Sequence, residues 1–249
     1  MRILGVDTAA SRASVAILED GQLSVEATLP PKSPNAVIVS AKSAHSETVL
    51  PLIQSVLDGA HCRLSDIDAI AVSIGPGSFT GLRVGLALVK GIAYESGLPV
   101  VAVSSLEAQA ARTANLSGTI CPLLDARKQE VYAALFYRRD GELARCLADH
   151  AIAVSALVGL CSAIAKTDEI VFVGSGAERY QSQILDLFDG RARIIGETCG
   201  GSAAAAVARL ALARIAVEPG TDLGQLVPLY MGSSQALGNT RGILPNSLK

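Results

Sequence analysis

The chain has 249 residues, of which 50 % are hydrophobic, 18 % charged and 4 % aromatic, and its formal net charge is −2. Such a chain can bury a large aliphatic core in one or two globular domains, and its near-neutral charge without a long basic run makes the chain alone a poor candidate for tight nucleic-acid binding, so any RNA is expected to need help from a partner. No run approaches the roughly 18 to 20 apolar residues of a membrane span, the chain enters a strand without a charged leader and apolar h-region, and Cys62, Cys121, Cys146, Cys161 and Cys199 are odd in number without CxxC spacing, which together point to a cytoplasmic protein with buried thiols.

A short apolar strand over Ile3 to Val6 ends in Asp7-Thr8, an alternating strand follows from Ala13 to Leu18, and Asp20-Gly21 turns the chain into a third strand, Gln22 to Leu29. Residues 30 to 43, with three prolines, read as a loop. Next come a helix near Thr48 to Leu57 that Pro51 delays or kinks, a strand from Ala69 to Ile74, a glycine-rich loop, a long apolar helix, and a strand from Val100 to Val103. A helix begins at Ser104, where Ser104 and Glu107 have the S-x-x-E spacing of a capping box. The opening grammar then returns: Cys121 to Leu124 ends in Asp125, Val131 to Tyr137 is the next strand, and Asp140-Gly141 turns into Glu142 to Leu147. A helix near Ser155 to Ala165, a strand from Ile170 to Val173, Gly174-Ser175-Gly176, a helix to about Phe188 and an Ala-rich helix over about 202–216 complete the chain, with a weakly ordered tail after 232. Two copies of a three-stranded meander, each followed by helices, predict an α/β protein of two similar lobes. We place them at 1–116 and 117–249, with the last helix packing back on the first lobe.

The run from Gly75 to Gly85, Gly-Pro-Gly-Ser-Phe-Thr-Gly-Leu-Arg-Val-Gly, joins strand to helix, and Ser78 or Thr80 is its candidate cap. Glycine permits close backbone approach and a helix N-terminus offers unpaired N–H groups, so the run suits either a phosphate cradle or a tight connection with no ligand. It matches neither a Walker A sequence nor a Rossmann fingerprint. From Leu82 to Ala93 the helix carries only Arg83 and Lys90 as charges, so two of its faces seek burial. Gly81 with Gly85, and Ala87 with Gly91, put small residues four apart, a spacing that admits a second helix. The helix is either enclosed in one larger core or half of a helical partner interface.

Chemistry is sparse. Asp7 with Thr8, at a strand end, is placed to hold a magnesium-bound phosphate, and Asp125 occupies the matching place in the second copy. Gly75, Gly77 and Ser78 provide the first backbone loop, and Gly174 and Gly176 a possible approach to an adenosine. The connection after Asp125 has no glycine and makes a poor cradle. These eight residues read as a degenerate nucleotide site, with ATP or ADP and magnesium bound weakly and not required. His45, His61 and His150 lack the i, i+4 spacing of a metal pair, and no nucleophilic triad can be arranged, so neither a metal site nor a catalytic residue is assigned.

The opening Ile-Leu-Gly-Val-Asp-Thr, His45-Ser46-Glu47 before Leu50-Pro51, the Gly75-to-Gly85 run, Val103-Ser104-Ser105-Leu106, and Asp125-Ala126-Arg127 with Glu130-Val131-Tyr132 together resemble the TsaB (YeaZ) family, over about the first 140 residues. The resemblance implies an actin-like ASKHA (RNase H-like) fold with mixed sheets flanked by helices. It also implies a noncatalytic role, because the catalytic relative TsaD carries a His-x-x-x-His metal site that this chain lacks. TsaB pairs with TsaD through helices of its first lobe, the ATPase TsaE completes the complex, and TsaD transfers a threonylcarbamoyl group to N6 of adenosine 37 in tRNAs reading codons that begin with A. Carried onto this chain, the docking helices contribute Val49, Leu50, Ile53 and Leu57, then Leu82, Gly85, Leu86, Val89, Ile92 and Ala93. The same region implies a possible homodimer, and tRNA is met only through the complex. The 30–43 loop is longer than usual for the family, and Tyr230-Met231-Gly232 stands where Tyr-Leu-Arg is common. An ATP-dependent small-molecule kinase of the same fold is the alternative, but it would need a working second phosphate loop and a catalytic base. A metallopeptidase would need ligands that the sequence does not provide.

Overall fold

Asp-Gly pairs set two of the hairpins. At Asp20-Gly21 and Asp140-Gly141 φ is 49° and 80°, then 51° and 85°, the positive values that a two-residue turn between twisted strands requires and that Asp and Gly adopt at low cost. The first turn joins β2 (Ser14–Glu19) to β3 (Gln22–Thr28), and β1 (Arg2–Asp7) pairs antiparallel with β2. β4 (Ala69–Gly75) then pairs parallel with β1, and β5 (Val100–Ser104) with β4, giving the order β3-β2-β1-β4-β5. β6 (Gly118–Arg127), β7 (Glu130–Arg139), β8 (Glu142–Ala153), β9 (Ile170–Val173) and β10 (Ala192–Ile195) repeat the path as β10-β9-β6-β7-β8, again an antiparallel meander extended by two parallel strands. The duplicated lobes expected from the sequence are therefore present, with β10 an element the apolar pattern did not reveal.

This computed structural model describes residues 1–10, 12–29, 49–162, 165, 169–196, 200–217 and 220–231. The 30–43 loop, the His45-Ser46-Glu47 element and the tail after 232 lie outside the described residues. The chain divides into two compact units, the first Met1–Ala108 with Gly201–Tyr230 and the second built on Gln109–Gly200. The division falls within α3 (Ser105–Ala111).

One face of the first sheet is covered by α7 (Ala203–Ile215), whose Ala204, Ala205, Ala206, Ala208 and Ala211 are buried. Small side chains let helix and sheet backbones come close, and Gly5 completes the fit: a Cβ there would strike the Ala204 carbonyl and lie 3.0 Å from the Ala208 Cβ. The N-terminus of α7 is satisfied by Ser202 Oγ, which accepts from Ala205 N at 3.1 Å, and by Ser14 Oγ, which accepts from Ala204 N at 3.1 Å. Near its C-terminus Arg214 donates to both Glu107 carboxylate oxygens, at 2.6 and 2.7 Å, and to the Ala102 carbonyl at 2.9 Å. Ser104 Oγ does accept from Glu107 N, at 3.3 Å, as the capping spacing predicts.

The other face carries α1 (Val49–Gly59) and α2 (Phe79–Ser96), which share a core with Leu4, Val6, Ile17, Ile70 and Val72. The second unit has its own core, in which Phe172 of β9 and Phe188 of α6 (Gln181–Phe188) lie 4.8 Å apart by ring centroids. α4 (Leu157–Ser162) and α5 (Ser175–Arg179) are the remaining α-helices among the described residues. No described helix is long and apolar enough to cross a membrane.

Candidate functional site

β4 ends at Gly75 and α2 begins at Phe79, so the glycine run is a tight connection. Ser78 is the cap: its Oγ accepts from Gly81 N at 3.2 Å, while its own N–H donates to the Ala9 carbonyl at 2.7 Å. The space cleared by the glycines is filled by the chain. A Cβ on Gly77 would strike the Ala9 carbonyl, on Gly81 the Thr8 carbonyl and on Gly85 the Thr8 hydroxyl, and on Gly75 it would lie 2.8 Å from the Leu229 carbonyl. Asp7 is 2 % exposed and Thr8 0 %. The Ser78 and Gly81 N–H groups, which a phosphate would need open, are engaged within the chain.

In the second unit Asp125 sits at the end of β6. Its Oδ1 accepts from Tyr180 Oη at 3.1 Å and from Arg127 N at 2.9 Å, and its Oδ2 lies 3.3 Å from the Arg179 guanidinium. Burial, and then the hydrogen bond to Asp125, push the Tyr180 phenol above its ordinary pKa. Asp125 N donates to Ser175 Oγ at 3.3 Å, which ties the Gly174-Ser175-Gly176 turn to β6. Those glycines, too, make room for protein: a Cβ on Gly174 would lie 2.5 Å from the Leu123 carbonyl and one on Gly176 3.0 Å from the Leu123 Cβ. The eight expected nucleotide residues are divided between the units, with Asp7, Thr8, Gly75, Gly77 and Ser78 in one, and Asp125, Gly174 and Gly176 in the other. Among the described residues no three His, Cys, Asp or Glu side chains gather as a metal ion would need.

A feature absent from the sequence reading lies beside Asp125. β6 and β7 are joined by the two-residue turn Lys128-Gln129, with Arg127 paired to Glu130. Arg127, Lys128 and Gln129 all have positive φ, 67°, 50° and 63°, without the Asn or Gly that such turns usually carry. The turn borders an open cleft of about 720 Å³ whose opposite wall is Glu178 to Gln183. Its only signal in the sequence is the short, glycine-free connection between two strand runs.

The docking helices differ from expectation in which residues face outward. Val49, Ile53 and Leu57 of α1, and Leu82, Leu86, Val89 and Ala93 of α2, are between 0 % and 6 % exposed in the isolated chain, and Gly85 abuts Thr8. Ile92 is half-buried, and of the ten only Leu50 is exposed, at 54 %. The second apolar face of α2 is taken up because Thr8 abuts Gly81 and Gly85 and Leu226 joins the core that Leu86, Val89 and Ala93 share with the sheet. Leu229 N donates to the Ile74 carbonyl at 2.7 Å, and Leu226 is 1 % exposed. The outward row of α2 is Phe79, Arg83, Ala87, Gly91 and Tyr94, bordered by the half-buried Val84, Leu88 and Ile92 at four-residue steps. Tyr94 is 84 % exposed. At the other end the Arg83 guanidinium lies 3.6 Å from the Phe79 ring centroid and its Nε donates to Tyr230 Oη at 2.6 Å.

The family model described as "TsaD: tRNA N6-adenosine threonylcarbamoyltransferase" matches residues 38–220. The chain is 29 % identical over 187 residues to the Bacillus subtilis tRNA threonylcarbamoyladenosine biosynthesis protein TsaB, covering 75 % of this chain and 76 % of that one. With the Escherichia coli protein of the same name it is 37 % identical over 140 residues, which spans 55 % of this chain and little more than half, 56 %, of the relative. Among solved structures it is similar to YeaZ from Pseudomonas aeruginosa, with a TM-score of 0.71, 27 % identity, and coverage of 92 % of this chain and 99 % of that chain. A dehydratase component from Acidaminococcus fermentans, at TM-score 0.54 and 13 % identity, shares the fold alone. The two duplicated mixed sheets are those of an actin-like ASKHA protein, and the chain belongs to the family of that TsaD-type model, on its TsaB (YeaZ) branch.

Proposed function

We propose that this chain is the noncatalytic subunit required for forming the threonylcarbamoyl group on N6 of adenosine 37 in tRNAs that read codons beginning with A. It acts in the cytoplasm by binding and activating TsaD; TsaE joins the assembly, and tRNA is delivered to the complex rather than to this chain alone. Two copies pair through the same surface when TsaD is absent. Besides family membership, one observation supports a docking role: the outward row of α2 joins exposed aromatic groups, Phe79 at 55 % and Tyr94 at 84 %, across the small Ala87 and Gly91. A Cβ on Gly91 would meet nothing within 4 Å. Small residues between aromatic anchors let a partner helix approach closely and bury those anchors at the centre of a contact. The docking set is therefore revised to Leu50, Phe79, Ala87, Leu88, Gly91, Ile92 and Tyr94, with the buried residues of α1 and α2 supporting it from beneath. No observation favours a small-molecule kinase, since the glycine run and Asp125 are engaged within the fold.

The test is reconstitution with TsaD and TsaE from the same organism, tRNA and the threonylcarbamoyl donor, reading modified adenosine by mass spectrometry of nucleosides. Product formation requires this chain, and Tyr94→Glu lowers it without unfolding the protein. Undiminished product in its absence would remove the proposal.

A further inference from the structure

We propose that α2 crosses the α2 of a second copy of this chain, antiparallel, with Arg83 of each copy paired to Glu95 of the other. Arg83, Ala87, Gly91 and Glu95 are all exposed and stand four residues apart, on one ridge of the helix. The ridge is self-complementary. Ala87 and Gly91 lie two residues either side of the level of Val89, and Arg83 and Glu95 lie six, while Val89 itself is buried on the opposite side. A two-fold axis at that level sets Ala87 against the partner's Gly91 and Arg83 against the partner's Glu95, each pair made twice, as an isologous contact requires. Ridges of this four-residue kind interdigitate at a crossing angle of about −50°, and at that angle the two ridges run side by side, which brings their charged ends together. A Cβ on Gly91 would meet nothing within 4 Å, and residues as small as Ala87 and Gly91 at the crossing point let two helix backbones approach closely.

The charges are an independent observation. Among the described residues neither Arg83 nor Glu95 meets an opposite charge: Arg83 stacks on the Phe79 ring and gives its Nε to Tyr230 Oη, which leaves its terminal N–H groups open, and Glu95 is exposed in the last turn of the helix. Within one helix the two cannot satisfy each other, since twelve residues set them about 18 Å apart. They also stand against the helix macrodipole, the cation near the N-terminus and the carboxylate at the C-terminus, and α2 has no acid in its first turn and no base in its last. A lone α2 gains nothing from that placement. An antiparallel copy reverses it, because each carboxylate then lies beside the N-terminal part of the other helix and its arginine. The Phe79 and Tyr230 contacts hold the guanidinium in place before association, which lowers the ordering cost of the pair. The inference rests on the reading of this face as a contact surface, and adds the orientation of a second copy there and the residues that fix it.

The experiment uses the full chain as the parent, Arg83→Glu and Glu95→Arg, each alone and the two variants mixed in equal amounts, followed by sedimentation velocity and native mass spectrometry. The parent dimerises. Each variant alone meets like charges at both ends of the crossing, and its dissociation constant rises at least about tenfold. The mixture restores association as a heterodimer, identified by a mass between those of the two variant homodimers, because each variant supplies the charge that the other has lost. That rescue also shows both variants to be folded. A parent that stays monomeric, single variants that dimerise as the parent does, or a mixture no tighter than either variant alone overturns the proposal. Co-elution with TsaD is measured on the same proteins. A monomeric parent that co-elutes with TsaD removes only this inference, whereas a parent that dimerises with the expected charge dependence but never co-elutes removes the functional reading and supports the pairing.

Discussion

Alanine at two glycines of α2 should shift stability in opposite directions. At Gly91 a Cβ meets nothing within 4 Å, so Gly91→Ala gains the helix propensity that separates the two residues, about 0.8–1 kcal/mol. At Gly81 the same atom strikes the Thr8 carbonyl and lies 3.1 Å from Ser78 Oγ and 3.2 Å from Ser78 Cβ. Neither obstacle retreats easily. Thr8 is 0 % exposed, the adjacent Ala9 carbonyl is held by Ser78 N at 2.7 Å, and moving Ser78 weakens the 3.2 Å cap of α2. Overpacking of this kind costs about 1–3 kcal/mol. Residue 81 stands in the first turn, where the propensity gain is small, so Gly81→Ala loses about 1–3 kcal/mol net. A chain of this size moves by about 2–4 °C per kcal/mol, which puts the two variants on opposite sides of the parent by melting temperature. Calorimetry supplies that comparison, and denaturant unfolding by circular dichroism checks that the m-value is unchanged. A Gly81→Ala protein as stable as the parent would refute the packing account of the glycine run and reopen its reading as a ligand cradle.

Gln129→Gly relieves a positive φ of 63° and raises stability by about 1 kcal/mol, read as a higher denaturation midpoint; an unchanged or lower midpoint contradicts the strained turn. Leu86→Glu buries a charge at a position 3 % exposed, so it destabilises the first unit by several kcal/mol (roughly) and abolishes its cooperative melting, while Tyr94→Glu melts with the parent. The Tyr180 phenol titrates above its ordinary value of 10.0, by burial and then through Asp125, and absorbance at 295 nm follows it. Its folded pKa is raised, so the neutral hydroxyl's contribution is fully present below pH 10.0 and lost as pH rises through the raised value; Asp125→Asn brings the titration closer to the ordinary value. Glu107→Gln replaces a charge-assisted pair, 2.6 and 2.7 Å to Arg214, with a neutral one and lowers stability by about 1–2 kcal/mol, measured in urea.

Much of the fold was legible because local and global signals agree. Apolar runs bounded by Asp20-Gly21 and Asp140-Gly141 fold as hairpins, and the repeated strand-Asp-strand-turn grammar anticipates the repeated sheet order. β10 was missed because Ala192–Ile195 is a four-residue edge strand, with Arg193 between its apolar residues. β8 runs to Ala153 rather than ending at Leu147 because its mostly half-buried mixture of polar and apolar residues follows β7 beyond the apolar run. The docking face was legible as an excess of apolar surface on α2 but not as a residue set. Periodicity says how many positions need cover; it cannot say that Leu226, more than 100 residues later, supplies part of it. The glycines posed the same difficulty, since close approach reads alike whether the neighbour is a phosphate or the Thr8 and Ala9 carbonyls.

The central claim is that the outward face of α2 docks TsaD, and light scattering on a size-exclusion column, with TsaD from the same organism mixed with parent or Tyr94→Glu, tests it directly. Tyr94 is 84 % exposed, so the variant folds, and a charge introduced into a buried contact weakens it by several kcal/mol (roughly). The account predicts a one-to-one complex with the parent and separate peaks with Tyr94→Glu. A parent that never co-elutes with TsaD, or a variant that co-elutes as the parent does, would contradict it.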